Sequence, residues 1–346
     1  MANRPEAVPK PKIATVEPNA AILGGDLQIR GANFASVAHP SVTVGGEPAQ
    51  LIIASDTHIV ARIPESAKSG ELVVASGGAR SKAWEAHIGL QIADSLHNVA
   101  NPAIDAEGNV FSTFSGSRGQ QSPVSIYKTD ESGSSRPFVT ELMNPTGLAF
   151  DRDGILYASS RYDGIVYQVT PTGNMSVYVE GMGVATGIAF DRDENLYVGD
   201  RSGTIFKISR SRQIYVFATI EPSISAYHLA FSPDGYLYVT GPTTSSFDAI
   251  YRVASTGEVE PYYRGVGRPQ GLAFDAEGHL YVAASLGGRR GILRFGQDGE
   301  QSGSPKLFLS GPGIVGLAFT PNQEMILATH NSLYRVDVQT AGKPMP

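Results

Sequence analysis

One segment type recurs along most of this chain. Gly147-Leu148-Ala149-Phe150-Asp151 returns as Gly187-Ile188-Ala189-Phe190-Asp191, His228-Leu229-Ala230-Phe231-Ser232, Gly271-Leu272-Ala273-Phe274-Asp275 and Gly316-Leu317-Ala318-Phe319-Thr320. These copies start 40, 41, 43 and 45 residues apart, and Asn101-Pro102-Ala103-Ile104-Asp105 is a degenerate earlier one. Periods of roughly 40–50 residues are those of propeller blades. Each copy follows the same order. A strand ends in an aromatic and a polar residue, a turn such as Asp151-Arg152-Asp153-Gly154 follows, and a second strand such as Leu156-Tyr157-Ala158 comes next. A third strand carries Val166-Tyr167-Gln168-Val169 or its equivalent, and a fourth carries Ser176-Val177-Tyr178-Val179. Four strands per unit is propeller anatomy. The glycine that opens each first strand fits a position where innermost strands crowd together and a side chain has no room.

Copies begin near residues 101, 144, 184, 225, 268 and 313, which predicts six blades. The last copy stops after Leu333-Tyr334-Arg335-Val336, without a fourth strand, while Ala86 to Ala93 is an unclaimed strand just before the first copy. The expectation is that this N-terminal strand completes the last blade, closing the ring and removing two sheet edges. Composition agrees with an all-β chain: 346 residues hold 39 Gly, 22 Pro, 15 Tyr and 14 Phe, the load of short strands and tight turns.

Residues 1–10 read as a disordered tail, rich in Pro and charge. Residues 11–84 form a separate group of short strands. Leu27-Gln28-Ile29-Arg30 alternates apolar and polar residues, and Gly45-Gly46 is a turn after Val42-Thr43-Val44. Such spacing predicts a sandwich. The order Glu17-Pro18, Gly24-Gly25, Gly31-Ala32-Asn33-Phe34, Val44-Gly45-Gly46 and Ile63-Pro64 resembles the IPT/TIG domain, which is immunoglobulin-like. Gly31 is expected to take a backbone angle closed to other residues, and Phe34 to anchor its loop in the core. The resemblance implies a structural or interaction module. Residues 85–340 resemble NHL-type repeats and the gluconolactonase/senescence-marker group of six-bladed propellers. The fold class expected is therefore all-β, an N-terminal immunoglobulin-like sandwich followed by a six-bladed β-propeller closed by an N-terminal strand in the last blade.

Charge and cysteine content narrow the functions. The chain carries 27 basic and 33 acidic residues, a net charge of −6, with no basic run. Nucleic-acid binders concentrate positive charge, so no nucleic-acid partner is expected. Cysteine is absent, which excludes disulfides, thiolate metal sites and cysteine nucleophiles. No apolar run is long enough to span a bilayer, so no membrane partner is expected. As written, the N-terminus has no apolar leader core, which reads as cytoplasmic, or as exported if a leader has been removed.

The lactonase resemblance implies one divalent cation, such as Ca, Zn or Mn, held by Glu, Asn and Asp just before innermost strands. Here those places hold Ala100, Thr146, Thr186, Tyr227, Gln270 and Val315, none of them a carboxylate. Neutral groups replace carboxylates poorly around a hard cation, so the expectation is no metal and no cofactor. The Asp-x-Asp-Gly turns read as turn chemistry rather than calcium loops. His39, His58, His87, His97 and His279 match no metal spacing. Thr146, Thr186, Tyr227, His228, Gln270, Arg161 and Arg201 are the candidate ligand-binding residues of the channel mouth. His228 puts an imidazole where other copies have glycine. With Asp200 and His330 it forms the candidate acid–base set, against the alternative that Asp200 is structural and each His a satisfied polar residue. A binding or scaffold protein for a small molecule, glycan or protein partner is the leading expectation. A lactonase-like hydrolase or a related propeller lyase is the alternative.

Overall fold

The computed structural model describes residues 9–245, 247–296 and 304–343. Most of the expected N-terminal tail, and Ser246 in the expected loop of the fourth repeat, lie outside the described residues. The described chain is all-β, without a helix. It divides into two compact units: residues 1–90 with 307–312, and residues 91–306 with 313–346.

The first unit is a sandwich. One sheet orders Lys12–Glu17, Asp26–Ala32, His58–Arg62 and Gln50–Ala54, and the other includes Trp84–Ile88, Gly70–Ser76, Ser41–Val44 and Glu47–Pro48. Alternation places Leu27 and Ile29 inward, where they meet Val42, Val44, Ile59, Leu72 and Val74 in a continuous core. Phe34 is fully buried in that core, as its motif predicts. The reason for Gly31 differs from the expectation. Its φ is not positive, whereas that of Asn33 is 61°. A side chain at Gly31 would lie 1.9 Å from the Lys12 carbonyl oxygen and 2.6 Å from the Phe34 ring, so space fixes this glycine rather than backbone angle.

The second unit repeats four-stranded antiparallel sheets. Pro145–Phe150, Leu156–Ser160, Val166–Val169 and Met175–Val179 form one, and Ala185–Phe190, Leu196–Asp200, Thr204–Ile208 and Ile214–Thr219 the next. The copies before and after follow the same order, with Ala103–Ile104, His228–Phe231, Leu272–Phe274 and Ile314–Phe319 as their first strands. Contacts join these first strands in chain order, and Ile314–Phe319 in turn touches Ala103–Ile104. The arrangement is that of a propeller. Leu90–Ala93 pairs with Leu333–Asp337 and supplies the missing fourth strand of the last sheet. The segment expected to do this was longer. Trp84–Ile88 instead pairs with Gly70–Ser76, because Ala86 and Ile88 are buried in the sandwich core. Gly89 separates the two roles.

The sheets are joined by aromatic residues. Tyr197, on a second strand, meets Phe217 of its own fourth strand edge-on at 5.0 Å and Phe231 of the next first strand at 4.9 Å. Phe111, Tyr157 and Tyr238 make the same pair of contacts. Where the last sheet meets the first, Ile92, Ile104 and Ile326 take these places in one aliphatic cluster. Edge-on pairs add about 0.5–1.5 kcal/mol beyond burial. The turn glycines Gly154, Gly235 and Gly278 have φ of 76°, 91° and 88°, and the side chain of Asp151 accepts from the Ile155 amide at 2.8 Å. Gly287 and Gly288, at 57° and 80°, form the hairpin turn expected there.

Candidate functional site

The first strands of the repeats approach too closely for side chains at their opening glycines. A Cβ on Gly187 would stand 2.3 Å from the Tyr227 carbonyl oxygen, and one on Gly316 2.4 Å from that of Ala100. Two copies replace the glycine, with Asn101 and His228, and both residues line the central cavity. Asn101 donates to the Leu272 carbonyl at 2.9 Å and accepts from the Leu317 amide at 3.1 Å. It thereby ties the first copy to the fifth and sixth.

The cavity measures about 260 Å³. It is walled by the segments 100–104, 147–150, 187–190, 228–231, 272–274 and 317–319, with Lys343 also in its wall. Asn101, His228 and Lys343 are its polar side chains, and no carboxylate belongs to its described lining. The residues present therefore do not fit the carboxylate-rich ligand set of a hard divalent cation.

His228 is 3% exposed. Burial alone pulls its pKa down from 6.5 to about 3, so the imidazole is neutral at physiological pH. Among the described residues, neither Asp200 nor any other charged group contributes to that shift. Asp200 accepts from the Val184 amide at 2.8 Å and from the Ser202 hydroxyl. Its carboxylate closes the turn around Gly183. The His330 ring is exposed, and its backbone carbonyl accepts from the Asn98 amide at 3.0 Å. Asp200 thus serves a loop, and neither it nor His330 belongs to the cavity lining that holds His228.

Thr146, Thr186, Tyr227 and Gln270 do not line the cavity. Thr186 donates to the Gly199 carbonyl at 2.7 Å and accepts from the Tyr227 amide at 3.2 Å. Thr146 donates to the Asn144 carbonyl at 3.3 Å. Tyr227 is 2% exposed and donates to the Glu221 carbonyl. The Gln270 backbone bonds Ala283 and Thr240. Thr146, Thr186 and Tyr227 sit one position ahead of the cavity-lining Gly147, Gly187 and His228, and strand alternation turns their side chains away from the cavity.

Arg161 and Arg201 occupy the same place after the second strands of consecutive copies and lie outside the cavity lining. Burial holds the Arg161 pKa below its usual value, and the charges of Arg201 and Arg118 add to this. Arg161 donates to the Gly116 carbonyl at 2.6 Å, and Arg201 to that of Ile224 at 2.9 Å.

Lys343 is the cavity residue that the repeat pattern does not reveal. The chain after the last repeat returns to the propeller, where Ala276 donates its amide to Ala341 and Lys343 to Phe274, at 2.9 and 3.0 Å. The Lys343 ammonium donates to the Phe231 carbonyl at 2.8 Å. Burial, helped by Arg192 and opposed by Asp234, lowers its pKa to about 8. Its position depends on long-range pairing outside any period, so the sequence holds no local sign of it.

Asp275, Glu277 and His279 bring ligand-type atoms within 4.8 Å of one another. Asp275 already accepts the Glu277 and His279 amides at 3.0 and 2.8 Å and the Tyr281 hydroxyl at 3.1 Å. The Arg294 guanidinium lies 3.1 Å from His279. Asp191 builds the same network with Asn195 and Tyr197, so the cluster is a repeated turn in which His279 stands where another copy has Asn195.

Residues 11–85 match the family model of the IPT/TIG domain. The sandwich of the first unit is accordingly TIG-like. No curated protein matches the chain in sequence. Among solved structures, a gluconolactonase from Xanthomonas campestris aligns over 72% of this chain and 89% of its own, with a TM-score of 0.62 and 16% identity. An auxiliary nutrient binding protein from Bacteroides thetaiotaomicron aligns over 95% and 98%, with 0.53 and 13%. A catalytically inactive His-to-Ala variant of virginiamycin B lyase from Staphylococcus aureus aligns over 97% of both chains, with 0.53 and 14%. At such identities the likeness concerns the fold.

Proposed function

We propose that this protein is a binding module in which a TIG-like domain accompanies a six-bladed propeller, and that its ligand enters the propeller channel. The observation that carries this reading is the chemistry of the cavity. A neutral imidazole, an amide and a lysine supply hydrogen bonds along an otherwise apolar, alanine- and leucine-rich wall. A few fixed polar groups in an apolar pocket are what small-molecule recognition needs. The likeness to an auxiliary nutrient binding protein supports binding of a small molecule or glycan. Metal analysis of the purified protein, with calorimetric titration of calcium, zinc and manganese, tests it first. We expect no stoichiometric metal. One tightly bound ion per chain would turn the reading toward a metal-dependent hydrolase.

His228 supports a second reading, a metal-free lyase or hydrolase using a neutral base. Its imidazole is unprotonated and lines the cavity, and one fold neighbour is a lyase whose His-to-Ala variant is described as inactive. Turnover of lactones or cyclic esters that disappears in His228→Ala would establish it. Absence of turnover leaves the binding reading in place.

A further inference from the structure

We infer that the channel of this protein takes a small monocarboxylic acid with an apolar body, whose carboxylate pairs with the Lys343 ammonium. This rests on the binding reading and adds the ligand's chemical class. Lys343 is held in place by three copies of the repeat. Gly342 bridges to Asp275 in the fifth copy, and the Lys343 amide donates to the Phe274 carbonyl there at 3.0 Å. Gly342 lies so close to the sixth copy that a Cβ on it would stand 2.3 Å from that of Phe319. The Lys343 ammonium reaches the Phe231 carbonyl of the fourth copy at 2.8 Å. The segment after the last repeat thus sets one cation in the wall of the central cavity.

Charge and hydrogen bonding are both incomplete at this ammonium. It can donate three hydrogen bonds, and among the described residues it donates one, to a carbonyl. None of the ion pairs among the described residues includes it. With His228 neutral, Lys343 is the one charged side chain of the described cavity lining. A cation drawn out of water without a counter-ion is costly, and an anionic ligand supplies that counter-ion. A second cavity that Lys343 also borders contains Asp191 and Asp193, which repel an anion, so the acid belongs on the central side. The wall there describes the rest of the ligand. Phe231 follows His228 by three residues, about 10 Å along a strand. Between those levels the lining is apolar and includes Leu229, Ala189 and Ala273. An ammonium at one level, with Asn101 and His228 at the other, suits an acid whose far end carries a hydroxyl or carbonyl group.

The experiment is calorimetric titration of the full chain at neutral pH with 8-hydroxyoctanoate and with 8-hydroxyoctanamide, its uncharged counterpart. The proteins are wild type, Lys343→Met, Lys343→Arg and Lys82→Met, Lys82 being an exposed lysine of the other unit. We expect wild type to bind the acid and to bind the amide at least about 10-fold more weakly. Lys343→Met should weaken the acid at least about 10-fold and leave the amide unchanged, Lys343→Arg should weaken the acid less, and Lys82→Met not at all. Binding of the acid should also weaken as salt rises. Equal affinity of wild type for acid and amide overturns the assignment and leaves channel binding standing. That comparison uses the unaltered protein and so decides even where the Met variant does not fold. Unchanged acid binding by Lys343→Met, shown to be folded by thermal unfolding, overturns it equally. Absence of acid binding by wild type also overturns it, whatever a wider ligand screen finds in the channel.

Discussion

At the scale of single residues, a glycine position tells most when it is broken. In four copies the opening residue of the first strand is glycine, and a Cβ at Gly147, Gly187 or Gly316 would collide with backbone of the next copy. Asn101 and His228 occupy that place in the other two copies, and both line the cavity. The His228 environment has a thermodynamic consequence. The unfolded chain takes up a proton near pH 6.5, the folded one only near pH 3. Protons therefore favour the unfolded state throughout that window, and His228 makes stability fall as pH falls from 6.5 toward 3, with a slope approaching about one proton. The difference in urea midpoint between wild type and His228→Gln should shrink steadily over that range in favour of the variant. A constant difference would mean that the imidazole is solvated or partnered in the folded state.

At the scale of elements, each sheet but the last is fastened to the next by a second-strand aromatic. Tyr197 is 3% exposed, sits between Phe217 and Phe231, and donates to Asp191 at 3.1 Å. Lys207 stands over its ring, 5.4 Å from the centroid. Tyr197→Ala removes the ring from two sheets at once and should cost about 3–5 kcal/mol. Tyr197→Phe removes one hydrogen bond and should cost about 1 kcal/mol. Urea unfolding of the two variants separates packing from hydrogen bonding; similar losses would place the stabilisation in the Asp191 network instead. The same scale explains the candidates that do not reach the cavity. Thr186 and Tyr227 are adjacent in sequence to positions that do, but alternation sends their side chains into the joint.

At the scale of the whole molecule, closure decides stability. Leu90–Ala93 covers the edge of Leu333–Asp337, and Ile92 packs in the aliphatic cluster with Ile104 and Ile326. A chain beginning at Asp94 lacks that strand and leaves an open edge, which invites pairing between molecules. We expect it to unfold at lower temperature and to aggregate, relative to a chain beginning at Trp84. Size-exclusion chromatography with thermal unfolding checks this, and equal behaviour of the two chains would remove the closing role from the strand.

The sequence by itself determined what is periodic. Repeated Gly-Leu-Ala-Phe segments, Asp–Gly turns and Tyr or Phe at fixed offsets each state a local requirement, of space, backbone angle or apolar contact, and those requirements recur in most copies. The Gly31 to Phe34 run likewise marked the TIG-like sandwich, although the need it expresses is room beside Lys12 and Phe34 rather than a special φ. Only the tertiary structure decided which polar groups meet. Asn101 reaches Leu272 and Leu317, Lys343 returns from beyond the last repeat to Phe231, and Arg161 reaches back to the Gly116 carbonyl of the first copy. These meetings depend on the relative placement of strands far apart in the chain. No local pattern encodes that placement, because a side chain's propensity and spacing fix its own strand and face but not the partner that ring closure brings opposite.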